Sequence, residues 1–190
     1  MDFSRFEVFS EPFPYAVSPC IFGTELSDDI LEWLETKAPW KLVETDFYEQ
    51  YEFAFTDADL PSSLKFLQGH IFRDTLRSEV QRMFGVKLKG GVDATAHKLV
   101  GGQRIRLHND YIPEGETHRL LIQLNRGWKD ENGGLLLFFN SPEPADVHKI
   151  LRPVHESAVA FAISQGSHHA VTTIHGGERF TLVYSFYAER

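Results

Sequence analysis

RLLIQLNRGWKDENGGLLLFF, residues 119–139, holds two apolar runs around a turn-rich centre. Arg119 to Leu124 reads as a strand. Asn132-Gly133-Gly134 then turns the chain into a second run, Leu135 to Phe139, because glycine accepts the positive φ that a tight reversal needs. Further strand-like segments flank this pair: Gln103 to Leu107 before it, and Val159 to Ile163 and Phe180 to Tyr187 after it. No linker, repeat or low-complexity segment divides them, and the lack of strand–helix alternation disfavours a doubly wound nucleotide-binding fold. Many short strands after a helical start predict a mainly β fold, a two-sheet sandwich or barrel flanked by helices.

The helical start is legible as α/β. Ser27 followed by Asp28 and Asp29 reads as an N-cap with acids in the first turn, where the helix dipole favours them. Ile30, Leu31 and Leu34 form its apolar stripe, and Ala38-Pro39 stops it. Tyr51, Phe53 and Phe55 alternate with Glu52 and Ala54 at a strand period, with core packing as their expected role. A second helical stretch runs through Leu64, Leu67, Ile71, Leu76, Val80 and Met83. Gly69 is placed to split it and Gly85 to end it.

With 190 residues and 42% hydrophobic composition, the chain has enough apolar mass for one folded domain. Its lone Cys20 excludes an internal disulfide framework and fits a reducing compartment. The N-terminal stretch lacks a secretion signal's basic and apolar regions, and no apolar run is long enough to cross a bilayer, so the expected location is the cytoplasm without membrane attachment. The net charge of −8 is uneven: residues 1–60 carry 14 acidic side chains against Arg5, Lys37 and Lys41. That imbalance argues against nucleic acid as a partner. It suits solvated helix faces first and a cationic substrate or peptide second.

Candidate chemistry lies in the second half. His108-Asn109-Asp110 puts an imidazole and a carboxylate at i and i+2 near a strand end, on one face. Ser167-His168-His169-Ala170-Val171 offers two histidines, and strand phase alone does not choose between them. Two imidazoles and one carboxylate can hold iron(II) on one face and leave the other coordination positions open. Arg179, ten residues after His169, carries paired donors suited to a carboxylate. A zinc hydrolase built on the same trio leaves that arginine and its spacing unexplained, and in a metal-free jelly-roll binding or sensor domain, the other alternative, the histidines would be incidental.

From Lys98 to Tyr187 the chain resembles the 2-oxoglutarate- and iron(II)-dependent oxygenases, closest to the prolyl-hydroxylase-like branch. The resemblance rests on HND at 108–110, LNRGW at 124–128, NGG at 132–134, SHHAV at 167–171 and GGERFTL at 176–182. It implies a double-stranded β-helix (jelly-roll, cupin-like) core over 91–190, with residues 1–90 as α/β support and candidate substrate lid. It also implies His108, Asp110 and His169 as iron ligands and catalytic residues, the arginine spacing favouring His169 over His168. Arg179 and Thr181 would bind 2-oxoglutarate, with Gln123 where many relatives carry tyrosine.

The implied cofactors are Fe(II), 2-oxoglutarate and O2, with ascorbate as an optional reductant. The implied reaction is hydroxylation of an unactivated C–H bond of an amino acid, peptide or protein side chain, with release of succinate and CO2. Desaturation or cyclisation of a small natural product is the alternative. Asp110 is the carboxylate that related halogenases lack, which favours hydroxylation. His168, unusual at its position, is expected to face away from the metal. Arg104, Arg106, Asn109, Tyr111 and Trp128 are candidate substrate contacts, while Arg119 is read as a neighbour of Glu116 or of the co-substrate.

Overall fold

The computed structural model describes residues 1–189 as two facing antiparallel sheets with two helices behind the larger one. The strands are β1 (Glu7–Phe9), β2 (Tyr15–Ser18), β3 (Lys41–Glu44), β4 (Glu49–Ala54), β5 (Leu88–Leu99) and β6 (Ile105–His108). They continue as β7 (His118–Gln123), β8 (Leu136–Phe139), β9 (Val147–Leu151), β10 (Ala158–Ala162), β11 (His169–Val171) and β12 (Arg179–Ala188). The larger sheet runs β1-β2-β10-β7-β12-β5-β4-β3 and the smaller β6-β11-β8-β9, the jelly-roll arrangement expected from the sequence.

Alternation along the central strands builds two cores from one sheet. On β12, Phe180, Leu182, Tyr184 and Phe186 face the helices. Val183, of the opposite phase, packs between the sheets with Leu121, Phe138 and Phe161. Helix α1 (Thr24–Thr36) contributes Ile30, Leu31 and Leu34 to the outer core, and α2 (His70–Phe84) contributes Phe72, Leu76 and Val80. At roughly 25 cal/mol per Å² of apolar area removed from water, such burial dominates the favourable side of folding.

Local differences from the sequence reading have physical reasons. Helix α1 starts a turn earlier than expected: Gly23 is its N-cap, and Ser27 is fully buried inside the helix. Gly69 does split the second helical stretch, a 3-10 turn over Lys65–Gln68 preceding α2. Restarting there shifts the apolar phase to Phe72 and leaves Ile71 exposed. Gly85 ends α2 at φ 65°, the left-handed cap a glycine takes without strain. Strand β5, the longest in the fold, was hidden by Gly90, Gly91 and five interspersed polar residues.

Candidate metal and co-substrate site

Strands β6 and β11 are neighbours, with His108 directly opposite His169 and ring centroids 4.2 Å apart. His108 Nδ1 lies 2.7 Å from the Arg106 carbonyl oxygen, and His169 Nδ1 lies 2.8 Å from that of Ser167. A carbonyl only accepts, so both Nδ1 atoms donate and both Nε2 atoms present lone pairs. Asp110 sits between them, Oδ1 3.2 Å from His108 Nε2 and Oδ2 3.0 Å from His169 Nε2. Three acceptors converging within 4.8 Å repel one another unless a cation lies among them, so the donor set fits one divalent ion. Among the described residues no other such trio of His, Cys, Asp or Glu converges.

Asp110 adopts φ 56°, a left-handed conformation that aspartate tolerates better than most residues. Its carboxylate also accepts from Arg119 Nη1 at 2.5 Å, while Arg119 Nε and Nη2 hold Glu116 at 3.0 and 2.6 Å. Burial pushes the Asp110 pKa up, but its contacts with His108, His169 and Arg119 outweigh burial and hold the carboxyl well below the usual range. Arg119 therefore holds the Asp110 carboxylate in place and keeps it anionic, as an outer partner would for a metal-binding carboxylate.

Arg179 stands on β12 between β5 and β7, only 4% exposed. Its guanidinium has no hydrogen-bond or ion-pair partner among the described residues, and burial lowers its pKa to about 10. A buried guanidinium without a counter-ion is costly, and the planar group that satisfies it best is a carboxylate. Thr181 shares its face and donates its hydroxyl to Gln123 Oε1 at 3.0 Å. Gln123 is buried behind Thr181 and does not line the cavity. The NGG turn brings the β8 hairpin against the arginine stem: a Cβ on Gly134 would meet Arg179 Cδ at 3.0 Å, and one on Gly133 the Thr173 carbonyl oxygen at 1.9 Å.

One cavity of about 270 Å³ joins the trio to Arg179, with apolar walls from Leu121, Phe161, Val171 and Val183. Its remaining wall comes from Tyr48, Gln50 and Glu52, in and just before β4, and from His97 on β5. Burial, then the charges of Arg119 and Arg179, lower the His97 pKa to about 3, so the ring is neutral. Phe47 covers His108 at 4.8 Å between centroids.

Several candidate substrate residues lie elsewhere. Arg104 and Arg106 line a neighbouring polar cleft, Arg106 donating to the Asp46 carbonyl at 3.1 Å, while Ile105 faces the metal cavity. A bulge causes this: β11 advances from His169 to Val171 while β6 spans His108 to Ile105, which inverts the expected phase. Trp128 donates to the Gly133 carbonyl at 2.9 Å and braces the NGG turn outside the cavity. Asn109 ties the loop to the Gln165 carbonyl at 3.0 Å. Tyr111, Asn109 and His168 share a shallow groove at the mouth with Phe47, Ile112 and Pro142. His168 is not among the three converging donors.

Of the residues not anticipated, Tyr48, Gln50, Glu52 and His97, the two on β4, Gln50 and Glu52, carried a signal. On β4, the aromatic phase of Phe53 packs into the core and leaves the opposite, polar phase for the cavity.

Residues 94–187 match the family model described as the 2OG-Fe(II) oxygenase superfamily. The prolyl 3-hydroxylase sudestada1 of Drosophila melanogaster is 24% identical over 177 residues, 87% of this chain. The chain spans about a third (32%) of that protein's length. Among solved structures, a Pseudomonas putida prolyl-4-hydroxylase shares the fold at TM-score 0.74 and 18% identity, over 93% of each chain. A Trichoplax adhaerens prolyl hydroxylase, solved with a hypoxia inducible factor peptide fragment, matches at TM-score 0.75 and 15% identity, over 91% of this chain and 83% of that one.

Proposed function

Since the chain belongs to the 2OG-Fe(II) oxygenase superfamily, we propose that it hydroxylates a proline side chain of a peptide or protein. The observation that carries this reading is the metal trio and the unpartnered Arg179 opening onto one cavity. Family membership brings iron(II), 2-oxoglutarate and dioxygen. Together, when bound, they supply oxidative decarboxylation of the ketoacid to succinate and CO2, coupled to oxygen insertion at a C–H bond.

The chain's own part is placement. His108, Asp110 and His169 would hold the metal through two Nε2 atoms and one carboxylate, already oriented by the Arg106 and Ser167 carbonyls and by Arg119. Arg179 would receive the distal carboxylate of the co-substrate, with the Thr181 hydroxyl beside it. Leu121, Phe161 and Val183 exclude water from the space between, which strengthens every charge interaction there.

Cavity size supports a side chain as the group oxidised. A volume of about 270 Å³ lies below the roughly 300–1,000 Å³ of pockets that engulf a whole small ligand, and the co-substrate takes part of it. One side chain can enter while its flanking backbone rests in the mouth groove of Tyr111, Ile112 and Pro142. The relatives named as prolyl hydroxylases support proline as that side chain.

Anaerobic addition of Fe(II) and 2-oxoglutarate should give the weak visible charge-transfer band of the family chelate, absent from His169→Ala. Aerobic incubation with proline peptides should yield succinate and a product heavier by one oxygen atom. No band, or a band undiminished in His169→Ala, would refute the site; a band without peptide oxidation would refute the substrate.

A further inference from the structure

The polar wall made by β4 and β5 is not needed to hold the metal or the co-substrate, and its chemistry is one-sided. Gln50 is 2% exposed, lines the cavity, and leaves its Oε1 without a partner. Its Nε2 is committed, 2.8 Å from Glu52 Oε2 and 3.3 Å from His97 Nδ1. Glu52 lines the same cavity. The Gln50 amide is the only hydrogen-bond donor to the Glu52 carboxylate among the described residues. His97 Nε2 lies 3.9 Å away, on a neutral ring. Lys41 is Glu52's partner across β3 and β4, yet its side chain is exposed and forms no ion pair with it. The wall therefore offers a carboxylate, with a buried and unpartnered amide oxygen beside it, both acceptors.

The charges around the cavity point the same way. Arg119 is bridged to Glu116 and Asp110. With metal and co-substrate bound, two of the four remaining negative groups, Asp110 and one 2-oxoglutarate carboxylate, offset iron(II). The other ketoacid carboxylate offsets Arg179, and Glu52 alone has no counter-charge. A partly buried carboxylate that accepts a single hydrogen bond has room for a cationic partner.

Position keeps this group clear of the co-substrate. Glu52, His97, Thr181 and Gln123 form one row across the sheet. Glu52 is two strands from Thr181, roughly 10 Å at the usual strand spacing.

We propose that Glu52 and Gln50 form a cation-reading subsite, and that the substrate carries an ammonium or guanidinium group close to the position oxidised. This deepens the hydroxylase reading and rests on it for the identity of the cavity. A lysine or arginine side chain next to the target residue has the required chemistry: donors for Gln50 Oε1 and a positive charge for Glu52. The acidic first third of the chain, in which Glu52 lies, would draw such a substrate in.

The test uses protein loaded with Mn(II) and 2-oxoglutarate and needs no turnover. Calorimetric titration with n-butylguanidinium, against the neutral n-pentanol, should show the cation binding roughly tenfold or more tightly, the scale of a charge-assisted hydrogen bond. Glu52→Gln should erase most of that preference and Glu52→Lys should abolish cation binding. Unchanged 2-oxoglutarate affinity in both variants would establish that they are folded. Equal binding of the two probes by the wild type, or an undiminished preference in Glu52→Gln, would overturn the proposal.

A second arm compares proline peptides carrying lysine or norleucine beside the proline. Preferential oxidation of the lysine peptide by the wild type, but not by Glu52→Gln, is expected. A Glu52-dependent cation preference without oxidation of any proline peptide would remove the proline reading and leave the subsite standing. Oxidation indifferent to the neighbouring charge would do the reverse.

Discussion

Replacing Arg179 with methionine should make the ligand-free protein more stable while destroying its response to 2-oxoglutarate. Methionine keeps the apolar stem that lies against Gly134 and removes only the guanidinium, which has no partner in the fold. Burial lowers that group from 12.5 to about 10, which corresponds to an unfavourable contribution on the order of 3 kcal/mol. The sign is fixed near neutrality. Arginine is charged in both the folded and unfolded chain below pH 10, so the folded state carries the whole burden there and sheds it only at higher pH.

Imperfect packing of methionine will recover part of that figure, so a gain of about 1–3 kcal/mol is expected. For a chain of this size each kcal/mol moves Tm by about 2–4 °C. Co-substrate at a hundredfold excess over its Kd should raise the wild-type stability by about 2.7 kcal/mol and the variant's by nothing measurable. Thermal unfolding with Mn(II), with and without 2-oxoglutarate, reads both effects. A variant destabilised by more than about 1 kcal/mol without ligand, or one that 2-oxoglutarate still stabilises, would show that Arg179 has been misread.

Three other outcomes test separate parts of the site. His168→Gln should leave Co(II) affinity essentially unchanged in an anaerobic spectrophotometric titration, because that ring faces the mouth groove; His169→Gln should weaken it sharply. Arg119→Gln should lower the same affinity by about 10–100-fold through loss of the Asp110 contact, with the 2-oxoglutarate response through Arg179 retained. Burial lowers His97 to about 3 and His118 to about 4, so both keep their full stabilising contribution above the unfolded value near 6.5. Stability should then fall by about 1.4 kcal/mol per pH unit for each as pH drops below 6.5, and His118→Phe should remove one share of that slope in urea unfolding.

The ladder of the catalytic half was legible because its signals are local. Val159 to Ile163 and Phe180 to Tyr187 are apolar runs of strand length, and the structure places them at β10 and β12 with ends shifted by a residue. The metal trio and Arg179 were legible as residue types at set spacings, and the fold brings them together. What escaped was long-range. Strand β5 has no apolar run, since its outer face packs mostly alanine and valine beneath the helices. The bulge opposite His169 could not be seen in β6 alone, so Arg104 and Arg106 took the phase that belongs to Ile105. On β4 the aromatic residues drew attention to the packing face, while the working face carried Gln50 and Glu52, whose meaning depends on a cavity built by other strands.

The backbone at Asp110 bears on how this scaffold can change over time. At φ 56° an alanine would retain the conformational cost without the carboxylate that offsets it, whereas glycine adopts the same angles freely. Arg119 would still be neutralised by Glu116 after such a change. The main chain thus sets no barrier to exchanging this ligand for an open coordination position. A single Asp110→Gly step should therefore leave the fold intact and open a coordination position in the same cavity.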